Sequence, residues 1–130
     1  MHTAPFSYHL HTASETREMD RFTIEDFGID GITLMELAGS QAAKDINALV
    51  EAGWQGVFLC GRGNNAGDAL VVARYLIQRA IDIELVFVSG TGKLSKETKK
   101  NHELLQKVSE AEASGSMVVY EGWQEFQEQT

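Results

Sequence analysis

In "GVFLCGRGNNAGDALVVARYL", residues 56–76, an apolar run leads into a turn with two spaced glycines and two adjacent asparagines, after which apolar residues return at helical spacing. Glycines at a strand-to-helix turn admit backbone conformations denied to other residues and let a ligand come close. The amides that open the next helix then face an anion with the helix dipole behind them. Asparagine carries a carbonyl oxygen and two donors on a short arm, so a pair can offer oxygen to a hard cation and nitrogen to a phosphate in one tight space. Asn64 and Asn65 are therefore candidates for a phosphate-and-ion site, with turn formation through left-handed backbone as the competing explanation. Asp68 either accepts from loop amides or simply complements the dipole of the first helical turn.

Two nucleotide-binding patterns can be tested against this turn. Gly61, Gly63 and Ala66 satisfy G-x-G-x-x-A, a variant of the dinucleotide fingerprint. The full fingerprint also wants an acidic residue about 20 positions on, at the end of the next strand. Glu84 falls near the start of that strand, which disfavours an ordinary hydride-transferring dehydrogenase. "VSGTGKLSKETKKN", residues 88–101, lacks the four-residue gap before Gly-Lys-Ser/Thr that a phosphate loop requires, so it reads as a surface turn before a charged helix.

The elements that must hold the turn follow from spacing. Thr12 and Glu15 have capping-box spacing, and the helix they open carries Met19, Phe22, Thr23 and Asp26 on one face before stopping near Gly28. A second such pair, Thr33 and Glu36, opens a helix whose apolar face is read as Leu34, Leu37, Ala38, Ala42, Ile46, Leu49 and Val50. Gly39 inside it either admits a close neighbour or is merely tolerated, at a cost of about 1 kcal/mol relative to alanine. Strands are expected over 57–60, 83–88 and 117–120, with helices over 66–80 and 94–112 between them. Alternating strands and helices predict an α/β fold with parallel pairing. In the doubly wound order 3-2-1-4, ligands bind where the order reverses, so a chain with only the first three strands leaves strand 1 at an edge and the crevice without one wall.

Composition narrows the partners. The 130 residues suit a single domain, and 43% hydrophobic with 23% charged residues is globular. A formal charge of −8 repels nucleic acid and anionic membrane surfaces. The apolar runs are too short to span a bilayer, and no secretory signal is readable. The single cysteine, Cys60, suits a buried thiol in a reducing, cytoplasmic setting. His2, His9 and His11 could form a metal tract, but residues 1–11 read as a flexible leader instead. His102 is expected to be solvent-exposed on its charged helix.

With "GRGNNAGDALVVARYL" (61–76), "LMELAG" (34–39) and "TREMDRFTIEDFGI" (16–29) in order, the chain from about residue 12 to 120 resembles the YjeF N-terminal domain, the NAD(P)H-hydrate epimerases. The resemblance implies a Rossmann-like three-layer αβα fold around a parallel sheet, of which residues 12–130 would be the N-terminal part. It implies an isomerase that interconverts the R and S forms of hydrated NADH or NADPH in cofactor repair. Asn64, Asn65, Ala66, Gly67 and Asp68 would contact the substrate's phosphate region, and Asn65 would be a ligand of a potassium ion. The remaining ion ligands and the acid or base aspartate would come from motifs expected beyond Thr130. Partners implied are a second copy of the chain, the C-terminal half of the domain or a dehydratase domain. Ala66 and Ala69 stand where the family usually has glycine, and Arg62 where proline is common. If either alanine position needed positive φ, the loop would store about 1 to 3 kcal/mol of strain. The alternative is a catalytically inactive nucleotide-binding or protein-interaction module of the same fold.

Overall fold

The computed structural model describes residues 9–111 and 115–130. His2 lies outside these residues, and the chain divides into two compact units, 1–31 and 32–130.

In the first unit, helix α1 (Ala13–Arg21) opens with the expected capping box: Glu15 N donates to Thr12 Oγ1 and Thr12 N donates to Glu15 Oε2. A π-helical segment, Phe22–Phe27, continues it and stops at Gly28, which takes the left-handed conformation at φ 91° that glycine adopts without a Cβ penalty. Arg21 donates to Glu18, Glu25 and Asp26 across this surface.

The second unit is built on a parallel sheet of β1 (Gln55–Cys60), β2 (Asp82–Phe87) and β3 (Met117–Tyr120), ordered β1-β2-β3. Helices α2 (Gly31–Asn47), α3 (Asn64–Ile77), α4 (Lys96–Ser109) and α5 (Trp123–Gln129) complete it. The α/β expectation and the parallel pairing hold, and β1 is an edge strand among the described residues. Leu70, Ala73 and Ile77 of α3 and Leu105 of α4 pack with Ile83, Leu85 and Phe87 on one face of the sheet. Tyr120 is the register partner of Val86 on the opposite face, and its ring meets Phe126 of α5 at 5.2 Å. Helices thus lie on both faces of β2 and β3. β2 is accordingly buried through Leu85, Val86 and Phe87, whereas β1 alternates, with Val57 and Leu59 of its outward face 52% and 60% exposed.

Three readings of the sequence need correction. Helix α2 begins at Gly31, two residues before Thr33, so Thr33 and Glu36 form no capping box. Glu36 instead accepts from Tyr75 Oη at 2.8 Å and pairs with Arg74, joining α2 to α3. The buried face of α2 is Met35, Gly39 and Ala43, while Leu37, Ile46 and Leu49 are exposed. Gly39 fixes that rotation: a Cβ there would overlap the Cβ of Val71 on α3 and stand 3.2 Å from Asp68 O, so this face alone lets the two helices touch. The glycine of "LMELAG" is a close-approach residue, one of the two alternatives the sequence left open.

His102 is also not the solvent-exposed side chain that its helix suggested. It packs on Phe87 with ring centroids 4.9 Å apart, and its Nε2 is buried without a hydrogen-bond partner among the described residues. Burial holds its pKa below the ordinary 6.5, against the opposing pull of Glu121 and Glu103. α5 had no counterpart in the sequence reading; Trp123 and Phe126, three residues apart, are its packing side chains.

Two measurements test this account. Helix propensity alone would make Gly39→Ala stabilising by about 1 kcal/mol; the overlap with Val71 instead makes it destabilising by about 1 to 3 kcal/mol in urea unfolding. Below its ordinary pKa of 6.5, buried neutral His102 binds fewer protons folded than unfolded, so its contribution to stability falls as pH falls through that range. His102→Leu should flatten the stability-pH curve there, and an unchanged slope would show that the imidazole is not what titrates.

Candidate functional site

Strand β1 ends at Cys60, whose buried thiol is pushed up to about 11 by loss of solvent and is therefore protonated at neutral pH. The chain then turns through Gly61 and Arg62 into Gly63, the N-cap of α3 at φ −84°. None of Gly61, Gly63, Asn64 and Asn65 adopts positive φ, so the competing explanation of the asparagines as left-handed turn formers does not hold. A Cβ at either glycine would meet nothing within 4 Å, which leaves the outer side of the turn open to approach. Ala66 and Ala69 lie within α3 and neither has positive φ, so replacing the usual glycines stores no backbone strain.

The five candidate residues divide by direction. Ala66 and Gly67 face inward: Ala66 is 4% exposed and its amide donates to Gly63 O at 3.1 Å. A Cβ on Gly67 would overlap Met35 Sδ and Cε and come within 2.8 Å of Thr98 Oγ1. The missing Cβ of Gly67 thus makes room for Met35, whose sulfur also accepts from Asn101 Nδ2 at 3.1 Å. Asp68 is half-buried within the first turns of α3. Asn64 and Asn65 are exposed at the helix start, where backbone amides lack a carbonyl four residues back inside the helix.

The asparagines are not equivalent. Asn64 Oδ1 accepts from Ser95 Oγ at 2.7 Å, and Ser95 N donates to Arg62 O at 3.1 Å. Ser95 is also the N-cap of α4, its Oγ accepting from Thr98 N, and Thr98 Oγ1 donates to Gly63 O at 3.0 Å. The serine and threonine of "KLSKET" therefore clamp the glycine turn from the neighbouring loop. Sequence reading missed this role, although Ser95 three residues before Thr98 carries a visible cap spacing. With the Asn64 oxygen engaged, the carboxamide of Asn65 is the one turned to solvent without a hydrogen bond among the described residues.

This turn stands at the carboxyl end of β1, the position where open α/β sheets bind ligands. A hollow of about 220 Å³ lined by Ile46, Trp54, Val57 and Leu76 lies at the other end of the strand, beside Gln55 and Gly56. Dipole, open backbone and a free carboxamide coincide only at the carboxyl end.

The family model for the YjeF-related protein N-terminus matches residues 31–119. The chain belongs to that family. The YjeF-related match spans α2 through nearly all of β3 and includes the whole glycine turn; the opening helix lies before it. A bifunctional NAD(P)H-hydrate repair enzyme of Salinibacter ruber is 38% identical over 109 residues, 80% of this chain and 20% of that protein. NAD(P)H-hydrate epimerases of Elusimicrobium minutum and Rhodobacter capsulatus are 39% identical over 75 residues and 31% over 104, covering 34% and 49% of their lengths. The chain thus spans half or less of the length of these relatives. The crystal structure of yeast YNL200c superposes with a TM-score of 0.70 at 19% identity, over 86% of this chain and 47% of that one, and it shares the fold.

Ser95→Ala removes both the α4 cap and the hold on Asn64. It should cost about 1 kcal/mol of stability and shift the Asn64 side-chain amide resonances toward solvent-exposed values. Unchanged resonances would mean that the clamp is not populated in solution.

Proposed function

We propose that this chain contributes the phosphate-binding half of an NAD(P)H-hydrate epimerase, an isomerase that interconverts the R and S forms of hydrated NADH or NADPH in cofactor repair. The observation that carries the proposal is the Gly61–Asn65 turn, open to solvent at the carboxyl end of β1 and aimed by Ser95, in a chain whose relatives bear that name.

In this reading the first-turn amides of α3 receive the diphosphate, helped by the positive end of the helix dipole. That local field has to overcome a formal charge of −8, so contact donors rather than long-range attraction hold the ligand. Asn65 presents nitrogen to phosphate or oxygen to potassium; Ala66 and Gly67 serve through backbone and packing, and Asp68 supports the turn. Hard cations of this kind take about six or more oxygens. Asn65 fits as one ligand of such a shell, with the rest supplied by other polypeptide. Epimerisation at a hydrated ring carbon also needs a proton donor and acceptor against the ring, groups that typically supply roughly 10²- to 10⁴-fold.

The free edge of β1 supports a partner. Val57 and Leu59 beside an unpaired strand edge suit a further parallel strand whose end would close the crevice next to Asn65. Polypeptide corresponding to the rest of the relatives' length is our preferred source, ahead of a second copy of the chain or a dehydratase domain. Cys60 suits a cytoplasmic setting. The same open crevice favours the second reading, a catalytically inactive nucleotide-binding or interaction module.

Given hydrated NADH of one configuration, the complete gene product should bring both epimers to equilibrium. Retention of the starting epimer would overturn the enzymatic reading in favour of the module. Calorimetric titration with NADP in potassium and in sodium buffers tests the ion, and Asn65→Ala should weaken binding about tenfold. Equal affinity in the variant would remove Asn65 from the site.

A further inference from the structure

A second group of ligand-bearing side chains lies wholly within the first unit, apart from the glycine turn. His9, His11 and Glu15 each offer one atom, and the three atoms lie within 4.8 Å of one another. The imidazoles meet edge to face with centroids 4.6 Å apart, and His11 Nδ1 stands 3.8 Å from Glu15 Oε2. Glu15 is not a loose surface carboxylate: the capping box holds it over the start of α1 through Thr12 N at 2.7 Å. Glu18, Met19 and Phe22 border the same hollow.

We propose that His9, His11 and Glu15 form a zinc site that ties the extended segment before α1 to its first turn. Two imidazole nitrogens and one carboxylate oxygen are a zinc donor set, and zinc imposes no geometry through its d electrons. Ligand atoms on a tetrahedral ion with bonds of about 2.0 to 2.1 Å lie roughly 3.3 Å apart, so side-chain rotation of under about 2 Å closes the triangle. The fourth position is left to water because all three residues are exposed. Glu15 Oε2, the oxygen nearest His11, already accepts from Thr12 N, and its second lone pair is left for the ion. Bound there, zinc would hold the entry to α1 and keep one open position for water. The sequence left these histidines in a flexible leader because nothing in their spacing showed that the capping glutamate would come to rest beside them.

Calorimetric titration of the untagged 130-residue chain with zinc chloride at pH 7.5, in a buffer that does not chelate, should show saturable one-to-one binding. His9→Ala and His11→Ala should each weaken it by at least about tenfold, the lower end of what loss of even a supporting outer-shell group costs. Glu15→Gln keeps the capping box, since glutamine serves at that position, so helicity by circular dichroism should hold while zinc affinity falls. His2→Ala should leave binding unchanged. Absence of saturable binding, wild-type affinity in the His9→Ala/His11→Ala double variant, or equal weakening by His2→Ala would each overturn the assignment.

Discussion

The approach of α2 to α3 is the constraint from which the candidate site follows. Two positions without a Cβ make it possible: Gly39 on α2 admits Val71, and Gly67 on α3 admits Met35. Each helix thus supplies one bare backbone and one apolar side chain, and the Glu36 carboxylate closes the seam by accepting from Tyr75 and pairing with Arg74. "LMELAG" and "NNAGDALVVARYL" are two halves of one interface, which is a physical reason for them to occur together. The start of α3 is held rigid by this packing, and a helix start that is fixed presents its amides in a fixed direction.

Local signals were legible. The Thr12 and Glu15 box, the left-handed stop at Gly28 and the bounds of β3 depend on residues within a turn or a strand, and each stands where the spacing put it. Signals that tertiary contacts override were not. Thr33 and Glu36 have capping spacing, yet the carboxylate is taken by side chains 38 and 39 residues away. His102 is surrounded in sequence by lysines and glutamates, and only the fold sets Phe87 beneath it. Of the candidate site, the turn and its asparagines were visible, but the division between inward Ala66 and Gly67 and outward Asn65 was not. That division depends on the rotation of α3 against α2. Ser95 belonged to a loop that sequence reading treated as bare surface, since nothing local shows that it reaches Asn64 across 31 residues.

The sheet shows where the fold is open. β2, flanked on both sides and covered on both faces, buries every residue from Leu85 to Phe87, whereas β1 buries only the face beneath α3. Val118 and Trp123 are also nearly half exposed, but Glu84 of β2 stands in register between Val57 and Val118, so the apolar surface is interrupted there. Apolar side chains beside unpaired strand groups favour association with another strand, and the glycine turn stands at the end of that same strand. The candidate turn and the open edge of the sheet therefore meet at the same strand.

The seat of Met35 against Gly67 makes the packing under the turn sensitive to oxidation of a thioether. The thioether fits because it is slim and unbranched, and its sulfur already accepts from Asn101. Conversion to the sulfoxide would add a polar oxygen in a space that does not admit even a methyl group. Burial at 5% exposure shields the sulfur while the two helices stay together, so oxidative damage here would report separation of α2 from α3.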